Sequence, residues 1–167
     1  NEQFGTASDD VAYSLDIDNY GNVYLSGYTQ GNLEQPVGGS DDAFVAKVDP
    51  FGNLLWINQF GTNKYDAARE LKLSADGTRA YVVGQTKGNI DGDSSNDSKG
   101  DYFVAFFDST GDLLGATQNG VKGQVQYSNS FALGDNGEVY VTGATWGTLV
   151  SGQAVGYYDL FIHEFSE

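Results

Sequence analysis

The sequence predicts an all-β chain made of three tandem, four-stranded antiparallel units. Three observations carry this. A block with a period of 56 to 59 residues recurs three times along the 167 residues. Within each block, apolar and polar residues alternate over short runs bounded by Gly, Asn and Asp, the pattern of half-buried strands joined by turns. The composition agrees: 23 glycines, 14% aromatic residues and two prolines suit many short strands and tight reversals. No stretch shows sustained helical periodicity.

The repeat is literal in places. Gln3-Phe4-Gly5-Thr6 returns as Gln59-Phe60-Gly61-Thr62 and, weakened, as Gln118-Asn119-Gly120. Tyr24, Tyr81 and Tyr140 align, as do Gly27, Gly84 and Gly143, Thr29, Thr86 and Thr145, and Gly31, Gly88 and Gly147. The runs beginning at Asp42, Asp101 and Asp159 are likewise equivalent. One domain over residues 1–167 is expected, with repeats at about 3–58, 59–117 and 118–167.

In the first copy, strand a is read over Val11–Asp18, with Leu15 and Ile17 on one side. The turn Asn19-Tyr20-Gly21-Asn22 leads to strand b over Val23–Thr29. Strand c follows at Ala43–Asp49, where Phe44, Ala46 and Val48 share a face, and strand d at Leu54–Phe60. Between them, Pro50 and Gly52 suit the second and fourth positions of a tight reversal. Such a meander is the blade of a β-propeller. A glycine at the middle of strand b in every copy predicts a close approach by a neighbour, so Gly84→Val is expected to cost on the order of 1–3 kcal/mol.

These residues resemble a known family. Phe4-Gly5, Asp9-Asp10, Gly21-Asn22-Val23-Tyr24, Gly27-Tyr28-Thr29, Asp42-Ala43-Phe44-Val45-Ala46-Lys47 and Gly52-Asn53-Leu54-Leu55-Trp56 look like the bacterial, seven-bladed β-propeller repeat called SBBP, and more distantly like NHL-type blades. The first copy matches almost throughout. The second carries an inserted acidic loop, and the third has Gln126 for Asp10 and Asn119 for Phe60. The resemblance implies a bacterial secreted or cell-surface setting and an adhesive or scaffolding role. It brings no shared catalytic residues.

Charge narrows the partners. With 23 acids against 8 bases the net charge is −15, which repels nucleic-acid backbones and anionic membrane surfaces. No apolar run approaches the ~20 residues needed to span a bilayer. Without cysteine there is no disulfide, thiolate nucleophile or Cys-ligated metal. The chain opens on Asn1 with no signal pattern, as expected of a processed piece. The single histidine, His163, aligns with Ala46 and Ala105 and is expected to be a half-buried substitution with no base role. The leading functional expectation is therefore a non-catalytic binding or scaffolding module for a protein or glycan surface. A lectin-like propeller is the alternative, and a carboxylate-based hydrolase stands third.

Candidate binding residues follow from chemistry. Trp146, Tyr28 and Tyr158 are able to stack on sugar rings, though packing between blades explains such aromatics equally well. Asp10 and Asp66, which recur at the entrance of strand a, have the chemistry of paired acid–base carboxylates or of turn caps. In the inserted loop, Asp91, Asp93, Ser95 and Asp97 place oxygens at alternate positions, a spacing able to wrap calcium or simply to lie solvated. Three blades are fewer than propellers normally hold, so the chain is expected to be part of a longer propeller or half of a six-bladed dimeric ring. Asn1–Phe4 is expected to half-complete the third blade. The bare ends of the stack are expected to expose Leu15, Ile17 and Val23 in copy one and Phe131, Leu133 and Val139 in copy three.

Overall fold

A computed structural model describes residues 2–34, 38–92, 99–121, 123–135, 137–146 and 157–165. All regular structure in it is β. Blade one holds β1 (Asp10–Ile17), β2 (Val23–Thr29), β3 (Asp42–Val48) and β4 (Leu54–Phe60). Blade two holds β5 (Asp66–Leu73), β6 (Arg79–Thr86), β7 (Asp101–Asp108) and β8 (Leu113–Asn119). Blade three holds β9 (Val125–Leu133), β10 (Val139–Trp146) and β11 (Asp159–Phe165). Each sheet is an antiparallel meander in chain order. The result is a partial β-propeller whose third sheet has three strands among the described residues, not four.

The strands a and c of blade one each sit one residue earlier than their sequence pattern suggests, and the carboxylates explain it. Asp18 and Asp49 leave the ladder to cap their turns. Asp18 Oδ1 accepts the N–H groups of Tyr20 and Asn22 at 2.9 Å each, and Asp49 Oδ1 accepts those of Phe51 and Asn53 at 2.8 Å each. The Gly21 and Gly52 N–H groups bond back to the Asp18 and Asp49 carbonyls at 3.0 Å. Both glycines adopt left-handed φ, +82° and +93°, which these three-residue hairpin loops require.

The Gln-Phe-Gly-Thr motif proves to be the connector between blades. Gln59 Nε2 donates to Asp42 Oδ2 at 2.8 Å and to the Gly31 carbonyl, while its Oε1 accepts the Leu33 N–H. Gln118 repeats all three bonds with Asp101, Gly88 and Ile90. Phe60 leaves blade one and packs edge-on against Phe103 and Phe107 of blade two, at 5.8 and 5.2 Å. Thr62 then caps the next strand through Asp66.

The core lies between blades. Tyr24, Ala43 and Val45 of blade one are buried against Leu71, Val82 and Phe103 of blade two. Tyr81, Tyr102 and Val104 of blade two are buried in the same way against Phe131, Val141 and Phe161 of blade three. The first strands adjoin one another and are stitched by side chains. Ser14 and Asp16 on β1 accept the Leu71 and Leu73 N–H groups, and Glu70 on β5 accepts that of Phe131. β1, β5 and β9 therefore run side by side along one edge of the three blades, with β4 and β8 at the opposite edge.

Two expectations about the ends are corrected. Phe131 and Val139 are buried and Leu133 packs on the same cluster, because their face of blade three is the one turned to blade two. Residues 2–4 form no strand with β11. Glu2 instead lies against Gly52 of blade one, the relation that Trp56 has to Gly111 of blade two.

Candidate functional site at the bulges of the first strands

Each first strand carries a β-bulge at the same place. The register jumps between Ala12 and Ser14 on β1 and between Ala68 and Glu70 on β5. On β9 it jumps between Ser128 and Ser130. The residues left over are Tyr13, Arg69 and Asn129. A bulge breaks the in–out alternation and re-aims a side chain. Here all three face one cavity of about 170 Å³, which Ser14, Glu70 and Ser130 also line.

Arg69 is the centre of this site. Its guanidinium lies over the Tyr13 ring, 4.4 Å from the centroid. Nη2 donates to the Tyr65 hydroxyl at 2.6 Å and to Gln85 Oε1 at 3.4 Å. Nε is buried without a hydrogen-bond partner, and no carboxylate lies within ion-pair distance of Arg69 among the described residues. Glu70 beside it is taken up by Lys72 Nζ at 3.1 Å and by the Ser130 hydroxyl and Phe131 N–H. Tyr28 packs on Tyr13 with centroids 5.7 Å apart. Burial pushes the Tyr28 phenol up, with Tyr13, Asp41 and Asp9 adding to the rise and Arg69 opposing it. Burial likewise raises Tyr65 against the pull of Arg69.

Of the candidates drawn from sequence, Tyr28 belongs to this site. Asp10 and Asp66 serve as caps. Asp10 accepts from Thr6 and Thr29, bonds that hold its carboxyl below the ordinary value although burial acts to raise it. Asp66 accepts from Thr62 through Oδ2 in the same way, but its Oδ1, beside Thr86, is buried without a hydrogen-bond partner, and there burial prevails and raises it. Gln126 keeps the arrangement in blade three with an amide, accepting the Val121 N–H and donating to Thr145. Trp146 and Tyr158 come together elsewhere, on blade three, with centroids 5.9 Å apart and Tyr127 6.4 Å beyond. Asp91 Oδ2 accepts the Gln118 N–H at 2.9 Å. Asp93, Ser95 and Asp97 lie outside the described residues. Among the described residues no three His, Asp or Glu side chains gather as a metal site, and no helix is long and apolar enough to cross a membrane.

Sequence reasoning missed Tyr13, Arg69 and Asn129. A signal existed: Tyr-Ser, Arg-Glu and Asn-Ser occupy equivalent places, so the chemistry changes in every blade where the flanking positions stay apolar or small.

His163 bridges two blades, its Nδ1 paired with the Tyr102 hydroxyl at 2.7 Å and its ring 4.4 Å from Phe165. Burial holds its pKa below the ordinary 6.5. The unfolded chain therefore binds the proton first, and the stability tied to neutral His163 is complete above about pH 6.5 and declines as pH falls below it. Compared at each pH between about 5 and 7, thermal melts should show wild type losing Tm relative to His163→Ala as pH falls. An unchanged slope in the variant would place the titration elsewhere.

Three stacked antiparallel blades whose first strands adjoin define the class: a β-propeller repeat protein. The family model described as the beta-propeller repeat, SBBP, matches residues 2–34, and over those residues the chain is similar to that family. The match spans Phe4-Gly5 and the Asp10 cap, which recur in blade two, and the Asp18 turn, which blade two replaces with a longer turn from Ser74 to Arg79. No curated protein matches the chain.

Proposed function

We propose that the chain is a non-catalytic binding module whose working surface is the cavity at the bulges of the first strands, where Arg69 receives the carboxylate of a small ligand. The observation that carries this is Arg69 itself. In a chain with 23 acids and 8 bases it has no carboxylate partner among the described residues and lies over the Tyr13 ring, with Nε left without a hydrogen bond and Asn129 lining the same cavity. A planar guanidinium held this way is preorganised for bidentate carboxylate recognition. The cavity has the volume of about five or six water molecules, which suits the head of an organic acid and not a drug-sized molecule. A bacterial surface setting, implied by the SBBP resemblance, accords with this reading and with the strong acidity.

Glucuronate and glucose titrated against the labelled protein, followed by the NMR signals of the Arg69 side-chain N–H and the Asn129 amide, test this. Glucuronate should shift both and glucose neither. Arg69→Gln should weaken binding by roughly 10- to 100-fold, since a charged hydrogen bond contributes about 1.5–3 kcal/mol. Silence with glucuronate, or an equal response to glucose, overturns the carboxylate reading. A second reading, glycan stacking, is supported by the exposed Trp146–Tyr158–Tyr127 group, and glucose-dependent Trp fluorescence in the same titration would favour it.

A further inference from the structure

A regular strand sends consecutive side chains to opposite faces, whereas a bulge turns two neighbours the same way. Tyr13 with Ser14, Arg69 with Glu70 and Asn129 with Ser130 therefore enter one cavity as pairs, one pair from each blade. Only blade two carries charge in its pair, and there the two signs stand on adjacent residues. A carboxylate held by Arg69 thus shares a cavity of about 170 Å³ with the carboxylate of Glu70. Their repulsion is relieved when the ligand also brings a hydrogen-bond donor to Glu70.

Resting on the carboxylate reading of Arg69, we infer that the ligand is a hydroxy acid, with its carboxylate on Arg69 and the hydroxyl of a neighbouring carbon donating to Glu70. Glu70 has room for one more donor. Its Oε1 takes the Lys72 ammonium at 3.1 Å and the Ser130 hydroxyl at 3.2 Å, and its Oε2 takes the Phe131 N–H at 3.0 Å. A carboxylate offers about four such positions, so one on Oε2 is open. The donor is a hydroxyl and not an ammonium, because Lys72 already neutralises Glu70. Arg69 and Lys72 against Glu70 leave one positive charge in excess, which a hydroxy acid cancels and a zwitterionic amino acid leaves standing. Ser14 completes the fit. Its Oγ accepts the Leu71 N–H at 3.1 Å, which leaves its O–H to donate to the ligand's hydroxyl oxygen in the same cavity.

Propionate, lactate and alanine share one skeleton and differ in carrying hydrogen, hydroxyl or ammonium on the carbon beside the carboxylate. Each is titrated against the labelled protein and followed by the NMR signals of the Arg69 side-chain N–H. Lactate should bind roughly 10-fold or more tightly than propionate, the effect of one hydrogen bond to a charged acceptor, and alanine no better than propionate. In Glu70→Gln the acceptor is neutral, and the preference for lactate should shrink to about 2- to 3-fold. The comparison within wild type stands whether or not the variant folds. Equal Kd values for lactate and propionate overturn the hydroxy-acid inference while the carboxylate reading survives. A preference for alanine overturns it in favour of an amino acid, and a lactate preference undiminished in Glu70→Gln overturns the role of Glu70. Silence with all three ligands overturns this inference and the carboxylate reading together.

Discussion

Gly84→Val is expected to lower stability by at least about 3 kcal/mol in urea titrations, the upper end of overpacking costs or beyond. A Cβ at this position falls 2.2 Å from the Ala67 carbonyl oxygen and 2.4 Å from Phe103 Cζ. Phe103 is fully buried between blades one and two, and the carbonyl belongs to the residue two before the bulge. The other blades show the same contact, with a Cβ on Gly27 or Gly143 lying 1.9 or 1.8 Å from the carbonyl of Val11 or Tyr127. The glycine thus makes room for the bulge that aims Arg69. Even Gly84→Ala should disturb both, reducing stability and weakening any ligand response at the Arg69 cavity together. A loss under about 1 kcal/mol would show that the bulge does not depend on the glycine.

Asp66→Ala should cost about 2–4 kcal/mol, more than Asp10→Ala. It removes the acceptor for the Thr62 N–H and hydroxyl at a site where Asp66 and its neighbour Thr86 are fully buried, so no water takes the carboxylate's place. Asp10 serves equivalent partners nearer to solvent. Asp66→Asn keeps an acceptor and should be far milder. The two carboxyls also respond to pH in opposite directions. Asp10, held low, contributes stability that is complete above its unfolded value of 3.8 and is lost as pH falls through its folded value. Asp66, held high by burial, contributes stability that is present below 3.8 and is lost as pH rises through its folded value. Relative to wild type, Asp66→Asn should therefore gain stability as pH rises from about 4 to 7. A parallel pair of pH profiles would show that Asp66 does not bear the charge at a cost.

What the sequence determined on its own was the repeat and everything local to it. Turn positions at Gly21 and Gly52 were legible because a left-handed φ selects glycine. The tight site at Gly84 was legible because three copies share one residue against propensity. The Gln-Phe-Gly-Thr connector was legible as a unit, since its partners lie in the same repeat or at the start of the next. The tertiary structure alone decided the rest. Alternation marks two faces on strands a and b but does not say which one meets the preceding blade, so Phe131, Leu133 and Val139 were assigned to the wrong end. The cavity at the bulges was hidden for a related reason. A bulge is an offset between paired strands, and Tyr13, Arg69 and Asn129 have no common residue type to announce it. Their cavity forms only when positions nearly sixty residues apart in the chain are packed side by side around the axis.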